Sequence, residues 1–194
     1  MSKDDNLTSN PTIYKGIQMR SKLESRIAFF LDLLKIKWEY EPNSFLLSDG
    51  TSYIPDFYLT EMDIWLEVKG VICENNIEIS KKFVKENKTT LLMISNIDTM
   101  WFSLEDFDDG INVDFNIYIG LCSHCNKYFF CSNLGDWGCK NCGSHEGDHD
   151  LKYTFNSDEM ISGDKINFYD IDSIIDYLKN NCDIKIGVTN GDSI

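Results

Sequence analysis

The sequence predicts an α/β fold carrying a small cysteine-rich unit, and three observations lead there. A capped amphipathic segment precedes a group of short alternating strands. Those strands are followed by a second helical segment and a continuous apolar run, the order of a strand, a crossover helix and a parallel strand. Farther on, four of the seven cysteines fall in two Cys-x-x-Cys pairs.

In chain order, residues 1–12 are polar and without periodicity, and read as a disordered tail. Tyr14 to Arg20 lead into the first helix. Ser21-Lys22-Leu23-Glu24 is a capping-box pattern with Ser21 as N-cap. Leu23, Ile27, Phe30, Leu31 and Leu34 then form one apolar stripe, with Glu24 at its edge. Lys37 to Glu41 alternates aromatic with charged residues as a half-buried strand does, and Pro42 ends it. Phe45-Leu46-Leu47 suits a short strand, and Ser48 to Thr51 a turn. Asn75 to Lys88 reads as a mostly polar helix. Thr90 to Ile94 has the continuous apolarity of a strand covered on both faces.

Between these lies the stretch from Ser52 to Gly70, which reads as two strands around a Thr60–Asp63 loop. Folded back, Leu59 faces Ile64, Phe57 faces Leu66, and Asp56 falls opposite Glu67. Because side chains alternate along a strand, Pro55, Phe57, Leu59, Ile64, Leu66 and Val68 make one apolar face. Asp56, Tyr58, Trp65, Glu67 and Lys69 make the other. Two like charges directly opposite on neighbouring strands are destabilising. A hard cation is the simplest resident that would reconcile them, and Mg²⁺ is held by one or two carboxylates with waters and phosphates.

The segment from Trp101 to Ile119 is aromatic and acidic, with a turn signal at Asp109-Gly110 and a strand pattern over Asn112–Gly120. Thirteen residues separate Cys122-x-x-Cys125 from Cys139-x-x-Cys142. In a reducing compartment such pairs favour metal over disulfides. They resemble a zinc ribbon, in which Cys122, Cys125, Cys139 and Cys142 would give four thiolates to one structural Zn²⁺. Cys131 reads as a spare thiol of the ribbon hairpin, His124, His145 and His149 as surface residues, and Cys73 and Cys182 as buried or incidental. Ile171, Ile174, Ile175 and Leu178 recur at helical spacing, so Asp170 to Asn180 reads as a helix. The division is thus a tail over residues 1–12, an α/β domain over 13–119, and a C-terminal part over 120–194. That last part holds the ribbon, at about 121–143, and the helix.

Charge limits the partners. The net charge is −14, but it is unevenly spread: residues 13–95 hold eleven Lys and Arg against twelve Asp and Glu, and residues 96–194 hold six against eighteen. Overall acidity argues against tight non-specific DNA binding. It leaves room for a site where a divalent metal supplies the positive charge. With no apolar run of membrane-spanning length and no basic-then-apolar leader, the expectation is a cytoplasmic protein with no membrane partner.

Glu24 on the first helix, Pro55-Asp56 on one strand and Glu67-x-Lys69 on the next resemble the PD-(D/E)XK nuclease signature. Over roughly residues 13–95 the order of helix, three antiparallel strands, helix and strand is similar to that superfamily's restriction-endonuclease-like core. It is nearest to small nucleases of this class carried by bacteriophages and mobile elements. The resemblance implies a metal-dependent endonuclease that hydrolyses DNA, with Glu24, Asp56, Glu67 and Lys69 as catalytic residues. Mg²⁺ or Mn²⁺ would sit on Asp56, Glu67 and the Val68 backbone carbonyl, with Glu24 completing the shell directly or through a water. The metal would lower the pKa of a coordinated water and polarise the phosphate. Lys69 would orient or deprotonate that water, or offset phosphate charge. Gly70 would let a substrate backbone approach, and Arg20, Lys22 and Tyr53 are candidates for phosphate contact. One such site cuts one strand, so double-strand cleavage implies a homodimer or a second event. The acidic second half supports another expectation, a nuclease-fold protein without turnover that binds a basic protein partner or imitates DNA. A third expectation is a nuclease directed at RNA.

Overall fold

The computed structural model describes residues 11–95, 101–108, 110–114, 117–122, 124–132, 139, 141–143 and 151–156. In chain order these form β1 (Thr12–Tyr14), β2 (Ile17–Met19), α1 (Lys22–Leu33), β3 (Trp38–Tyr40), β4 (Phe45–Leu46), β5 (Ser52–Tyr53), β6 (Phe57–Leu59), β7 (Ile64–Lys69), α2 (Glu74–Asn87), β8 (Thr90–Ser95), β9 (Trp101–Phe107), β10 (Gly110–Asp114), β11 (Ile117–Cys122), β12 (Tyr128–Ser132) and β13 (Leu151–Asn156). The fold is mixed α/β. The expected N-terminal tail, apart from Pro11 and Thr12, and the expected helix over Asp170–Asn180 lie outside the described residues.

A six-stranded sheet in the order β10-β9-β8-β7-β6-β3 is the frame. Its pairs are antiparallel except β7 with β8, which run parallel across α2, as a crossover connection requires. Strand alternation explains how the sheet holds a helix on each side. Ile64, Leu66 and Val68 of β7, with Leu92 and Ile94 of β8, share a core with Ile27, Phe30 and Leu31 of α1. Trp65, Leu91 and Met93 point the other way and meet Phe83 and Val84 of α2. Both faces of β8 are therefore covered, which is why its sequence is apolar throughout.

Helix α1 begins at Ser21, whose Oγ accepts the Glu24 N–H at 3.1 Å and donates to Glu24 Oε1 at 2.7 Å. It ends in a Schellman turn. Lys35 takes a left-handed conformation (φ 56°), its N–H bonds the Asp32 carbonyl, and the Ile36 N–H bonds the Leu31 carbonyl.

Three features depart from the sequence reading. Thr12 starts a strand: β1 and β2 form a hairpin around Lys15-Gly16, both with positive φ. The stretch from Ser52 is not one strand. Pro55 has no N–H to give a ladder, and the chain breaks there into β5, paired with β4, and β6, in the main sheet. Asp56 thus stands one residue before β6. Finally, the acidic segment after residue 100 supplies β9 and β10, which extend the sheet past the expected core, and the one strand expected over Asn112–Gly120 is instead the end of β10 and the start of β11, in different sheets.

Strands β12-β11-β13 form a separate sheet. Ile117, Cys122, Phe129, Phe130 and Cys139 nevertheless belong to the same buried cluster as α1. Lys127 also reaches Glu61 at 2.8 Å, and Lys37 reaches the same oxygen at 3.0 Å. No described helix is long and apolar enough to cross a membrane.

Candidate active site and metal centre

Asp56 and Glu67 are buried, 1% and 2% exposed, at the end of the β6–β7 ladder. The register pairs Phe57 with Leu66, so the next step outward sets Asp56 against Glu67. Each carboxylate has well-defined partners. Asp56 Oδ2 accepts the Val68 N–H at 2.7 Å, and Asp56 Oδ1 accepts from Arg20 Nη2 at 2.8 Å. Glu67 Oε2 accepts from the Tyr53 hydroxyl at 3.0 Å, and Glu67 Oε1 pairs with the Lys69 ammonium.

Burial, then the Glu67 charge, push the Asp56 carboxyl up to about 8. Burial works against the Lys69 charge, but Glu67 and then Asp56 outweigh it and raise its pKa. Burial and the adjacent Glu67 charge also raise Tyr53, so its hydroxyl stays a neutral donor.

Glu24 is buried (6% exposed) at the start of α1. Its carboxylate takes three donors: Ser21 Oγ, the Tyr40 hydroxyl at 2.6 Å and the Arg20 N–H at 3.0 Å. Among the described residues, the one set of three or more Cys, His, Asp or Glu ligand atoms close enough to share an ion is the four cysteines. Glu24 is therefore not gathered into a ligand group with Asp56 and Glu67.

A cleft of about 270 Å³ opens beside these groups. Glu67, Lys69, Arg20 and Tyr53 line it, with Ser52, Ile54, Asn76, Ile79 and Ser80. Of the expected phosphate contacts, Arg20 and Tyr53 lie on this wall and Lys22 does not. Gly70 is exposed, and a Cβ added there would meet nothing within 4 Å. The Val68 contact to Asp56 is made by its N–H.

Sequence reasoning did not single out Ser80, Tyr40 or Glu41. Ser80 is buried on α2 with its Oγ 3.4 Å from the Tyr53 hydroxyl. Glu41 adopts a left-handed backbone (φ 43°), gives its N–H to the Asp56 carbonyl at 2.9 Å, and ion-pairs with Arg20. A non-glycine residue held there costs about 1–2 kcal/mol.

The four cysteines form a second site, with sulfurs within 4.8 Å of one another; Cys122–Cys142 is 3.9 Å and Cys125–Cys139 is 3.7 Å. Zn–S bonds of about 2.3 Å set the sulfurs of a tetrahedron about 3.8 Å apart, so this cluster suits a metal such as zinc. The two turns match. The residue four past the first cysteine, Asn126 or Gly143, has positive φ and returns its N–H to that cysteine's carbonyl, at 2.8 and 2.7 Å. Burial and the neighbouring thiols push Cys125 up to about 12, so a cation is what would make this group of thiolates favourable.

His124 is exposed as expected. Cys73 is not buried but exposed, at the N-cap of α2. His145, His149, Cys182 and the Cys131 side chain lie outside the described residues. The chain matches no family model and no curated protein.

Proposed function

We propose that this protein is a metal-dependent nuclease of the PD-(D/E)XK type, hydrolysing phosphodiester bonds of DNA at the cleft lined by Glu67 and Lys69, with Asp56 buried beside it. The observation that carries the reading is the pair of buried carboxylates, each with one oxygen on a fixed neutral donor and the other on a cationic side chain. Burying two such carboxylates together is costly, and two hard oxygens beside a polar cleft are donors that Mg²⁺ or Mn²⁺ accepts. The order α1, β3-β6-β7, α2, β8 with its one parallel pair supports a restriction-endonuclease-like core.

In this reading Asp56 and Glu67 hold the cation. When bound, the cation supplies a nucleophilic water at neutral pH and charge stabilisation at the phosphate. Lys69 stands beside the reacting phosphate and offsets its charge. Arg20, on the same wall, is placed to take a phosphate oxygen. Glu24 holds the start of α1 and, through the Arg20 backbone, the approach of Arg20 to Asp56. The cysteine cluster holds a structural Zn²⁺ that stabilises the α1-side core.

The test is incubation of purified protein with plasmid, single-stranded and branched DNA, and with RNA, in Mg²⁺ or Mn²⁺ and in chelator. Metal-dependent cleavage of DNA is expected. Cleavage of RNA alone would reassign the substrate. No cleavage of any of them would favour a nuclease fold that binds a protein partner through its acidic C-terminal half.

A further inference from the structure

The two buried carboxylates are held in the same pattern from different sources. Asp56 has its fixed oxygen on a backbone N–H, that of Val68 in the same sheet. Glu67 has its fixed oxygen on a side chain, the Tyr53 hydroxyl, brought in by the separate β4–β5 hairpin. In each case the second oxygen meets a long cationic side chain, Arg20 or Lys69, on the cleft wall.

We infer that Tyr53 is the positioning residue of the proposed metal site: its hydroxyl fixes Glu67 Oε2 and so presents Oε1 to the cation. This rests on the reading that Asp56 and Glu67 hold a divalent ion.

The surroundings of Tyr53 suit that role. Its ring is buried against Phe83, with centroids 4.9 Å apart. Its hydroxyl lies between Glu67 and Ser80 of α2. The hairpin carrying it is fastened to the same helix. Ser48 gives both its N–H and its hydroxyl to Glu86, at 2.9 and 2.6 Å, and Lys82 pairs with Asp49 at 2.6 Å. The oxygen that orients Glu67 is thus fixed from outside β7. Without it, Glu67 Oε2 would be buried with no donor on that side, and the carboxylate could turn to share Lys69 between both oxygens. Partners that orient a ligand in this way are typically worth 10–100-fold in metal affinity.

The test is a Mn²⁺ titration of the full-length protein by calorimetry, with Tyr53→Phe, Ser80→Ala and Glu67→Gln. Thermal unfolding of each is followed in chelator and in saturating Mn²⁺. Tyr53→Phe keeps the ring packing but takes one donor from the buried Glu67, so its unfolding temperature in chelator should fall by several degrees, and the effect of Mn²⁺ is read against that value. Its Mn²⁺ affinity should fall roughly 10–100-fold, and the Mn²⁺-induced rise in unfolding temperature should shrink. Ser80→Ala should lie between Tyr53→Phe and wild type. Binding lost in Glu67→Gln but within twofold of wild type in Tyr53→Phe overturns the role of Tyr53 alone. Binding that survives Glu67→Gln overturns the metal-site reading and this inference with it.

Discussion

The Val68 N–H donates to Asp56 Oδ2 at 2.7 Å. Where the chain leaves the ladder at Ile54-Pro55, the Asp56 side chain takes a main-chain donor of β7. One strand therefore carries Glu67 and Lys69 as its own side chains and holds Asp56 through its backbone.

Burying Asp56 makes stability depend on pH. Its folded pKa, about 8, lies above the ordinary 3.8, so the folded protein holds that proton more tightly than the unfolded chain. The stability supported by protonated Asp56 is complete below about pH 4 and is lost as pH rises through about 8. In chelator, unfolding free energy should decline across this window by of order a few kcal/mol. Asp56→Asn, which keeps an oxygen for the Val68 N–H, should remove most of that decline. Urea unfolding at several pH values measures it. A decline of wild-type size in Asp56→Asn would speak against the assignment.

Ser21 works twice at the start of α1, as acceptor for the Glu24 N–H and donor to Glu24 Oε1. Ser21→Ala should cost about 1–2 kcal/mol in urea unfolding, and Ser21→Thr should recover most of it. Equal losses in both variants would mean that the hydroxyl is not the cause.

The cysteine cluster shares its core with α1, since Cys122, Cys139, Phe129 and Phe130 belong to the same buried cluster as Phe30 and Leu31. Protein made without chelators should hold about one equivalent of zinc by elemental analysis. Stripping the zinc, or Cys139→Ser, should lower a single unfolding transition by roughly 10 °C or more, since each kcal/mol is worth about 2–4 °C in a chain this size. Two separate transitions, with the larger one unmoved, would show an independent module.

Much of the sheet was legible because local pattern and tertiary role agree. The alternation of Phe57, Leu59, Ile64 and Leu66 gave the β6–β7 register, the apolar run at Leu91–Ile94 gave a strand covered on both faces, and Ser21 gave the helix start. The cysteine spacing gave the second site. β9 was missed because its acidic residues obscured an inward-facing Phe102 and Leu104. The β1–β2 hairpin was missed because its strands are three residues each, and a Lys-Gly turn is a weak signal. The bonds of Tyr53 and Ser80 to the site come from tertiary packing, and no local pattern records them. Glu24 fitted two roles by its position, and its oxygens accept from Ser21, Tyr40 and the Arg20 N–H, contacts of which the capping pattern recorded only the first.

The nuclease assignment is tested most directly by the rate of Mg²⁺-dependent DNA cleavage in wild type, Asp56→Ala and Lys69→Ala, with folding of each checked by circular dichroism. The expected result is cleavage by wild type that stops in chelator and falls at least 100-fold in both variants. Cleavage at the wild-type rate in both folded variants would contradict it.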